Sequence, residues 1–205
     1  MGEALAARDV LAVIADYRLY PRVRYPEFLE DSAKAAAWTI ANVATYGGNV
    51  TRIYVMRHSA GAYNAAMLAL DPRWLRQVGI ATNPFKGFIG LAGPYDFLPI
   101  ENPDVRPVFF YPNSPPDSQP IVYAGAGSLR SFLGAPKSDH VVDPERNSRG
   151  MADKLAAAGV AVTYRVYPHV GHVSLLAAIS RPLRWLAPVL DDVEEFIRED
   201  PQLQP

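Results

Sequence analysis

Arg57-His58-Ser59-Ala60-Gly61 follows the apolar run Arg52-Ile53-Tyr54-Val55-Met56 and opens an alanine-rich segment, residues 60–70. A strand that ends this way and turns at once into a helix reads as a nucleophile elbow. The sharp turn lifts the serine hydroxyl clear of the sheet, and the helix N-terminus behind it favours developing negative charge. The match to G-x-S-x-G is imperfect, because Arg57 occupies the first small position. Ser is also a favoured N-cap and Gly a common packing residue, so these five residues alone leave a purely structural reading open.

The flanking sequence supplies a sheet for the elbow to end. Residues 10–16, with Leu11-Ala12-Val13-Ile14-Ala15 at their centre, form a short apolar run without alternation, the pattern of a strand covered on both faces. From residue 28 to 46 the apolar side chains Leu29, Ala33, Ala36, Ala37, Ile40 and Val43 recur at three and four. Glu30, Asp31 and Lys34 take the other face, and Gly47-Gly48 is the stop. Strand 52–56 with helix 59–70 repeats the unit, and Gly87-Phe88-Ile89-Gly90-Leu91-Ala92 is a further buried strand ending at Gly93-Pro94-Tyr95-Asp96. A weak strand over 129–133, a helix over 143–158, a strong strand over 160–167 and an amphipathic helix over 186–197 complete the order. Alternating strand and helix predict an α/β fold, with a mainly parallel sheet and helices on both faces.

Residues 97–127 break that rhythm. Prolines at 99, 103, 107, 112, 115, 116 and 120 exclude a central strand or a long helix, and Phe109-Phe110-Tyr111 adds an aromatic cluster. A plain surface excursion and a cap over a pocket both fit. The aromatics favour the cap, because long ordered loops in compact domains are usually functional.

Composition narrows the function classes. At 205 residues, 49% hydrophobic and 20% charged, the chain can bury one sizeable core and is most simply one domain, residues 1–205. A formal net charge of −1, with both signs scattered, offers no basic stripe for nucleic acid and no polybasic flank for a membrane. The absence of cysteine excludes disulfides and thiolate metal sites. No apolar run approaches the roughly 18 residues of a membrane span, and Met1-Gly2-Glu3-Ala4 lacks the regions of a signal peptide, so a cytoplasmic location is expected.

Acyl transfer by serine needs a base, a carboxylate to orient that base, and donors for the oxyanion. His172 follows the 160–167 strand, at the carboxyl edge where open α/β sheets build their sites. His169 competes as base, but Gly171 before His172 would give that loop freedom to swing. His172 could equally be a loop histidine capping a turn. Asp139 follows the weak strand on the same edge and competes with Asp96, which also follows a strand, and with Asp143. The last precedes Pro144 and is better explained as a helix N-cap. His58 reads as packing or pocket wall, its backbone belonging to the turn and aiming it away from the serine.

Asp16-Tyr17-Arg18-Leu19-Tyr20-Pro21, Tyr25-Pro26, His58-Ser59-Ala60-Gly61, Gly93-Pro94-Tyr95-Asp96, Asp139 with Pro144 and Asn147-Ser148, and Tyr167-Pro168-His169-Val170-Gly171-His172 span nearly the whole chain. Together they resemble the α/β-hydrolase carboxylesterases related to the hormone-sensitive-lipase and kynurenine-formamidase groups. The resemblance implies Ser59 as nucleophile, Asp139 as orienting acid, His172 as general base and the Ala60 N–H as one oxyanion donor, in the chain order typical of that fold. It implies a small-molecule ester substrate and neither cofactor nor metal.

The chain departs from that family in three places. It starts at the helix expected after an HGG-type oxyanion loop, residues 2–8, and so reads as an N-terminally truncated member with half the oxyanion hole missing. Arg57 must send its side chain to solvent or open the turn. Ser131-Phe132-Leu133-Gly134-Ala135-Pro136-Lys137 is a poor match to the strand and tight turn that deliver the acid. The leading reading is a carboxylesterase acting on short acyl esters through an acyl-Ser59 intermediate. The alternatives are an impaired or non-catalytic fragment that binds or needs a partner chain, and an arylformamidase-like amide hydrolase. With its flanking strands absent, 11–15 is expected at an uncharged sheet edge that invites self-association.

Overall fold

The computed structural model describes residues 1–199. Four parallel strands, β1 (Ile53–His58), β2 (Phe85–Leu91), β3 (Ser131–Pro136) and β4 (Val162–Tyr167), lie side by side in chain order. Parallel neighbours need crossovers, and helices supply them: α3 (Ala60–Leu70) and α4 (Pro72–Gln77) between β1 and β2, and α5 (Gly150–Ala157) between β3 and β4. Every strand therefore ends on the same edge. Residues 59, 139 and 172 all lie on loops or helix starts just past that edge.

Both faces of the sheet are covered. On one, α1 (Gly2–Ala6), α6 (His172–Ala177) and α7 (Val189–Arg198) bring Leu5, Leu175, Val189, Val193 and Phe196 onto Ile89, Leu91 and Phe132. The buried stripe of α7, Val189, Leu190, Val193, Phe196 and Ile197, is the apolar face anticipated from its periodicity. Arg8, just past α1, binds Asp191 at 2.6 Å and also reaches Glu194, tying the start of the chain to that helix. On the other face, α3 and α5 pack Ala62, Ala65, Ala66, Met151 and Leu155 against Phe88 and Leu133.

Outside α3 lies a third cluster, built by α2 (Glu27–Asn42), α4 and the proline-rich excursion. The excursion forms three short 3-10 turns rather than a detached loop. Phe109 is buried among the rings of Tyr25, Phe28, Tyr63 and Phe97, with centroids 5.2 to 5.9 Å away. Phe110 and Tyr111 are exposed.

Two expectations are corrected. Residues 10–16 do not form a strand: the segment is extended, but among the described residues β1 pairs with β2 alone. A strand exists by virtue of its ladder, and here a groove of about 410 Å³ separates residues 10–16 from β1. The uncovered apolar run accordingly leaves Leu11, Val13 and Ile14 exposed. Arg57 spans the gap, its guanidinium donating to the Ala15 carbonyl and lying 5.3 Å from the centre of the Tyr17 ring. The side chain thus neither runs to solvent nor opens the turn. Its path is also why residue 61 must be glycine, since a Cβ there would meet Arg57 Cδ at 2.9 Å and Cβ at 3.2 Å.

The second correction concerns the weak strand. β3 is buried along its whole length, flanked by β2 and β4 and covered on both faces. Its small residues are required by that position: a Cβ on Gly134 would come within 2.8 Å of Leu91 Cδ2. Phe132, fully buried with its ring 5.7 Å from that of Phe196, anchors α7 to the sheet. Phe132→Ala is expected to destabilise the fold by about 3–5 kcal/mol, read as a shift of the urea midpoint. A cost below about 1 kcal/mol, the size of an ordinary surface change, would contradict a central role for β3.

Candidate active site

Ser59 connects the end of β1 to the start of α3 with φ 55° and ψ −130°, a conformation that L-residues rarely adopt. Its N–H donates to the Leu91 carbonyl at 2.8 Å, while its own carbonyl accepts from Ala62 at 2.8 Å and Tyr63 at 3.2 Å. The turn is thereby pinned to β2 on one side and to the first turn of α3 on the other. Ala60 is the first residue of that helix, where a backbone N–H has no intrahelical partner.

His172 opens α6 four residues beyond the Pro168 that ends β4's run, and its imidazole faces Ser59: Ser59 Oγ and His172 Nε2 are 2.7 Å apart. On the other side of the ring, Nδ1 is 2.7 Å from Asp139 Oδ2. A carboxylate can only accept there, so Nδ1 carries the hydrogen, and in the neutral ring Nε2 presents a lone pair to the serine hydroxyl. Asp139 reaches its place by a local turn. Its Oδ1 accepts from the N–H groups of Val141 at 2.8 Å and Val142 at 3.1 Å, and its carboxylate is fully buried. Main-chain donors fix one oxygen and leave the other for the imidazole.

The competing residues are accounted for by their own partners. Asp96 pairs with Arg146 at 3.1 Å, and Asn147 Oδ1 accepts from the N–H groups of Tyr95 at 2.7 Å and Asp96 at 2.9 Å. Asp143 accepts from the N–H of Glu145 at 2.9 Å and of Arg146 at 3.2 Å, capping the turn that leads into α5. His169 is exposed on the loop. Gly171, however, does not use a glycine's freedom: its φ is −108° and a Cβ would meet nothing, so the loop does not depend on glycine there. That loop is shaped by Ser174, whose hydroxyl accepts from the Gly171 N–H at 2.8 Å.

His58 is the residue that the sequence placed wrongly. It is the last residue of β1 rather than part of the turn, and its Nε2 lies 2.8 Å from the His172 carbonyl. The two imidazoles are 4.8 Å apart between centroids, at 52°. Burial holds the His58 pKa below the ordinary histidine value of 6.5; the hydrogen bond to the His172 carbonyl opposes that shift, while the charge of the His172 ring adds to it.

With this geometry in view, the relatives become informative. Residues 2–106 match the family model described as alpha/beta hydrolase fold. That match takes in half of the chain, and the chain belongs to the alpha/beta-hydrolase fold family. It is 26% identical over 212 residues to the probable carboxylic ester hydrolase LipM of Mycobacterium tuberculosis, covering 95% of this chain and 48% of that protein. It is 32% identical over 104 residues to a probable isoprenylcysteine alpha-carbonyl methylesterase, ICMEL1, of Oryza sativa subsp. japonica, covering 48% of this chain and 24% of that protein. The chain thus spans a quarter to a half of the length of these curated relatives.

Among solved structures, the acetyl ester-xyloside bifunctional hydrolase from Caldicellulosiruptor lactoaceticus superposes with a TM-score of 0.80 at 18% identity, over 96% of this chain and 74% of that one. A thermophilic carboxylesterase cloned from a metagenomic library gives 0.75 at 19% identity, over 98% and 72%. At these identities the structures establish the shared fold.

The backbone of Ser59 gives a stability prediction of unusual sign. Glycine adopts positive φ without strain, whereas alanine retains a strain of about 1–3 kcal/mol. Both variants lose the contact with His172. Ser59→Gly should therefore be about 1 kcal/mol more stable than Ser59→Ala in chemical unfolding. The opposite order, usual at unstrained positions, would contradict the turn geometry.

Proposed function

We propose that this protein is a serine hydrolase of the carboxylesterase type, with Ser59 as nucleophile, His172 as general base and acid, and Asp139 as the carboxylate that orients it. The observation that carries the reading is the continuous line Ser59 Oγ, His172 Nε2, His172 Nδ1, Asp139 Oδ2, with both steps at 2.7 Å. Family membership and the esterase relatives support it.

In the proposed reaction Ser59 Oγ attacks the ester carbonyl carbon while its proton passes to His172 Nε2. The resulting oxyanion faces the helix start at Ala60, whose N–H is the donor assigned to it. Collapse breaks the bond to the alkoxy group, which leaves with the proton from Nε2. Water then attacks acyl-Ser59, giving its proton to His172, and the acid departs as the proton returns to Ser59. Throughout, Asp139 Oδ2 accepts from Nδ1–H and stabilises the positive charge that His172 gains. We assign the walls of the acyl and leaving-group pockets to the 97–127 excursion.

A fluorophosphonate probe tests the nucleophile. Labelling is expected in the wild type, abolished in Ser59→Ala, and slowed roughly 10³- to 10⁴-fold in His172→Ala and Asp139→Asn. Asp96→Asn should label at close to the wild-type rate. Labelling that survives Ser59→Ala, or Asp96→Asn as the slower of the two carboxylate variants, would refute the assignment. Amide hydrolysis of the arylformamidase type would use the same three residues, and comparing turnover of a formanilide with that of p-nitrophenyl acetate separates the two substrate classes.

We further propose that the exposed run flanking β1 drives self-association. Among the described residues β1 has a sheet neighbour on one side only, and Leu11, Val13 and Ile14 are exposed on that free side without a charge between them. Size-exclusion chromatography with light scattering should show higher species that Ile14→Lys shifts to monomer. A monodisperse wild-type monomer would overturn this.

A further inference from the structure

The nucleophile and its base belong to elements 113 residues apart in sequence. Of the elements around His172, α6 has six residues and follows a loop past an edge strand, a weak support for an imidazole that must face Ser59 to within tenths of an ångström. One further contact reaches this segment from the nucleophile's own strand. A carbonyl oxygen only accepts, so at 2.8 Å from the His172 carbonyl His58 Nε2 is the donor, and the hydrogen of the neutral His58 ring sits on Nε2.

We infer that His58 is a positioning residue: its Nε2–H, anchored on β1 next to Ser59, holds the His172 main chain and so sets the distance between Ser59 and the imidazole that faces it. This rests on the reading of Ser59 and His172 as nucleophile and base. Three atoms of His172 are then tied to three parts of the fold: Nε2 to the turn at Ser59, Nδ1 to the loop after β3, and the carbonyl to the end of β1. The ties at Nδ1 and at the carbonyl both persist while Nε2 exchanges its proton, and of the two the tie to His58 is the one that acts on the main chain.

The arrangement also joins two ionisable rings. Besides burial, three influences act on the charge of His58: the His172 carbonyl that it binds favours it, the His172 ring at 4.8 Å opposes it, and Asp139 behind that ring favours it. His172 gains a positive charge when it takes the serine proton, so the neighbour must be neutral for that charge to form at low cost. Burial keeps it so near neutral pH, its pKa lying below 6.5. In acid, a protonated His58 opposes the positive charge that forms on the facing ring as it takes the serine proton, so protonation of His58 slows the attack.

The test compares wild type, His58→Phe and His58→Gln by the rate of fluorophosphonate labelling between about pH 5 and pH 9. Phe keeps a ring beside His172 and removes the donor, whereas the Gln amide restores a donor at similar reach without a titrating group. His58→Phe should label roughly 10- to 100-fold more slowly than wild type at neutral pH, the scale expected of small misplacements at a reacting centre. His58→Gln should recover most of that loss and show a shallower fall in rate towards pH 5 than wild type, because the ionisation of His58 is removed. Nitrogen-15 NMR of the histidine rings in the wild-type protein should find His58 protonated on Nε2.

Wild-type labelling by His58→Phe, Gln no faster than Phe, or a hydrogen on Nδ1 of His58 overturns the inference. A wild-type chain that takes no label overturns the nucleophile assignment instead, and the ring-nitrogen measurement then decides His58 without reference to reactivity.

Discussion

The backbone turn at Ser59 is the constraint on which the site depends. A φ of 55° at a non-glycine residue is held only because its neighbours overdetermine it. The N–H is committed to the Leu91 carbonyl, the carbonyl to the first turn of α3, and glycine at position 61 lets the helix leave past Arg57. β1, β2 and α3 must therefore all be in place before the serine hydroxyl points out of the sheet. Phe88 and Leu133 packed against α3, and Phe132 against α7, hold the sheet between those helices.

Around it the chemistry is organised by satisfaction of donors and acceptors. Asp139 is buried, yet each oxygen has partners, the two main-chain N–H groups at Oδ1 and the imidazole at Oδ2. A buried carboxylate without those donors would bear a large desolvation cost. Asp96, the alternative acid, is neutralised by Arg146 and has its own backbone fixed by Asn147. Two aspartates that both follow strands are thus separated by their partners into distinct roles, one supporting a loop and one facing a histidine.

Strand-to-helix alternation and the position of Ser59, Asp139 and His172 after successive strands were legible in the sequence, because parallel sheets put all such positions on one edge. What escaped was of a different physical kind. An apolar run at 10–16 has the composition of a strand, but a ladder needs a neighbour, and composition says nothing about whether one is present. β3 looked weak because its Gly134 is dictated by the close approach of Leu91, a demand invisible along the chain. Gly171 was credited with conformational freedom that its backbone angles do not use. His58 was set aside as part of a turn, and two residues of difference in where β1 ends were enough to hide a contact with a histidine far away in sequence. The imperfect G-x-S-x-G carried its own warning at Arg57, whose answer, the carbonyl of Ala15 and the ring of Tyr17, lies across a groove.

We propose that these contacts serve one event, transfer of an acyl group to Ser59. The most direct measurement is mass spectrometry of the protein quenched within the first turnover of p-nitrophenyl acetate, read at the peptide that carries Ser59. The prediction is one acetyl group on Ser59, formed together with a burst of p-nitrophenol and absent when His172 is replaced by alanine. Release of p-nitrophenol at an undiminished rate with no acetyl on Ser59 would contradict it.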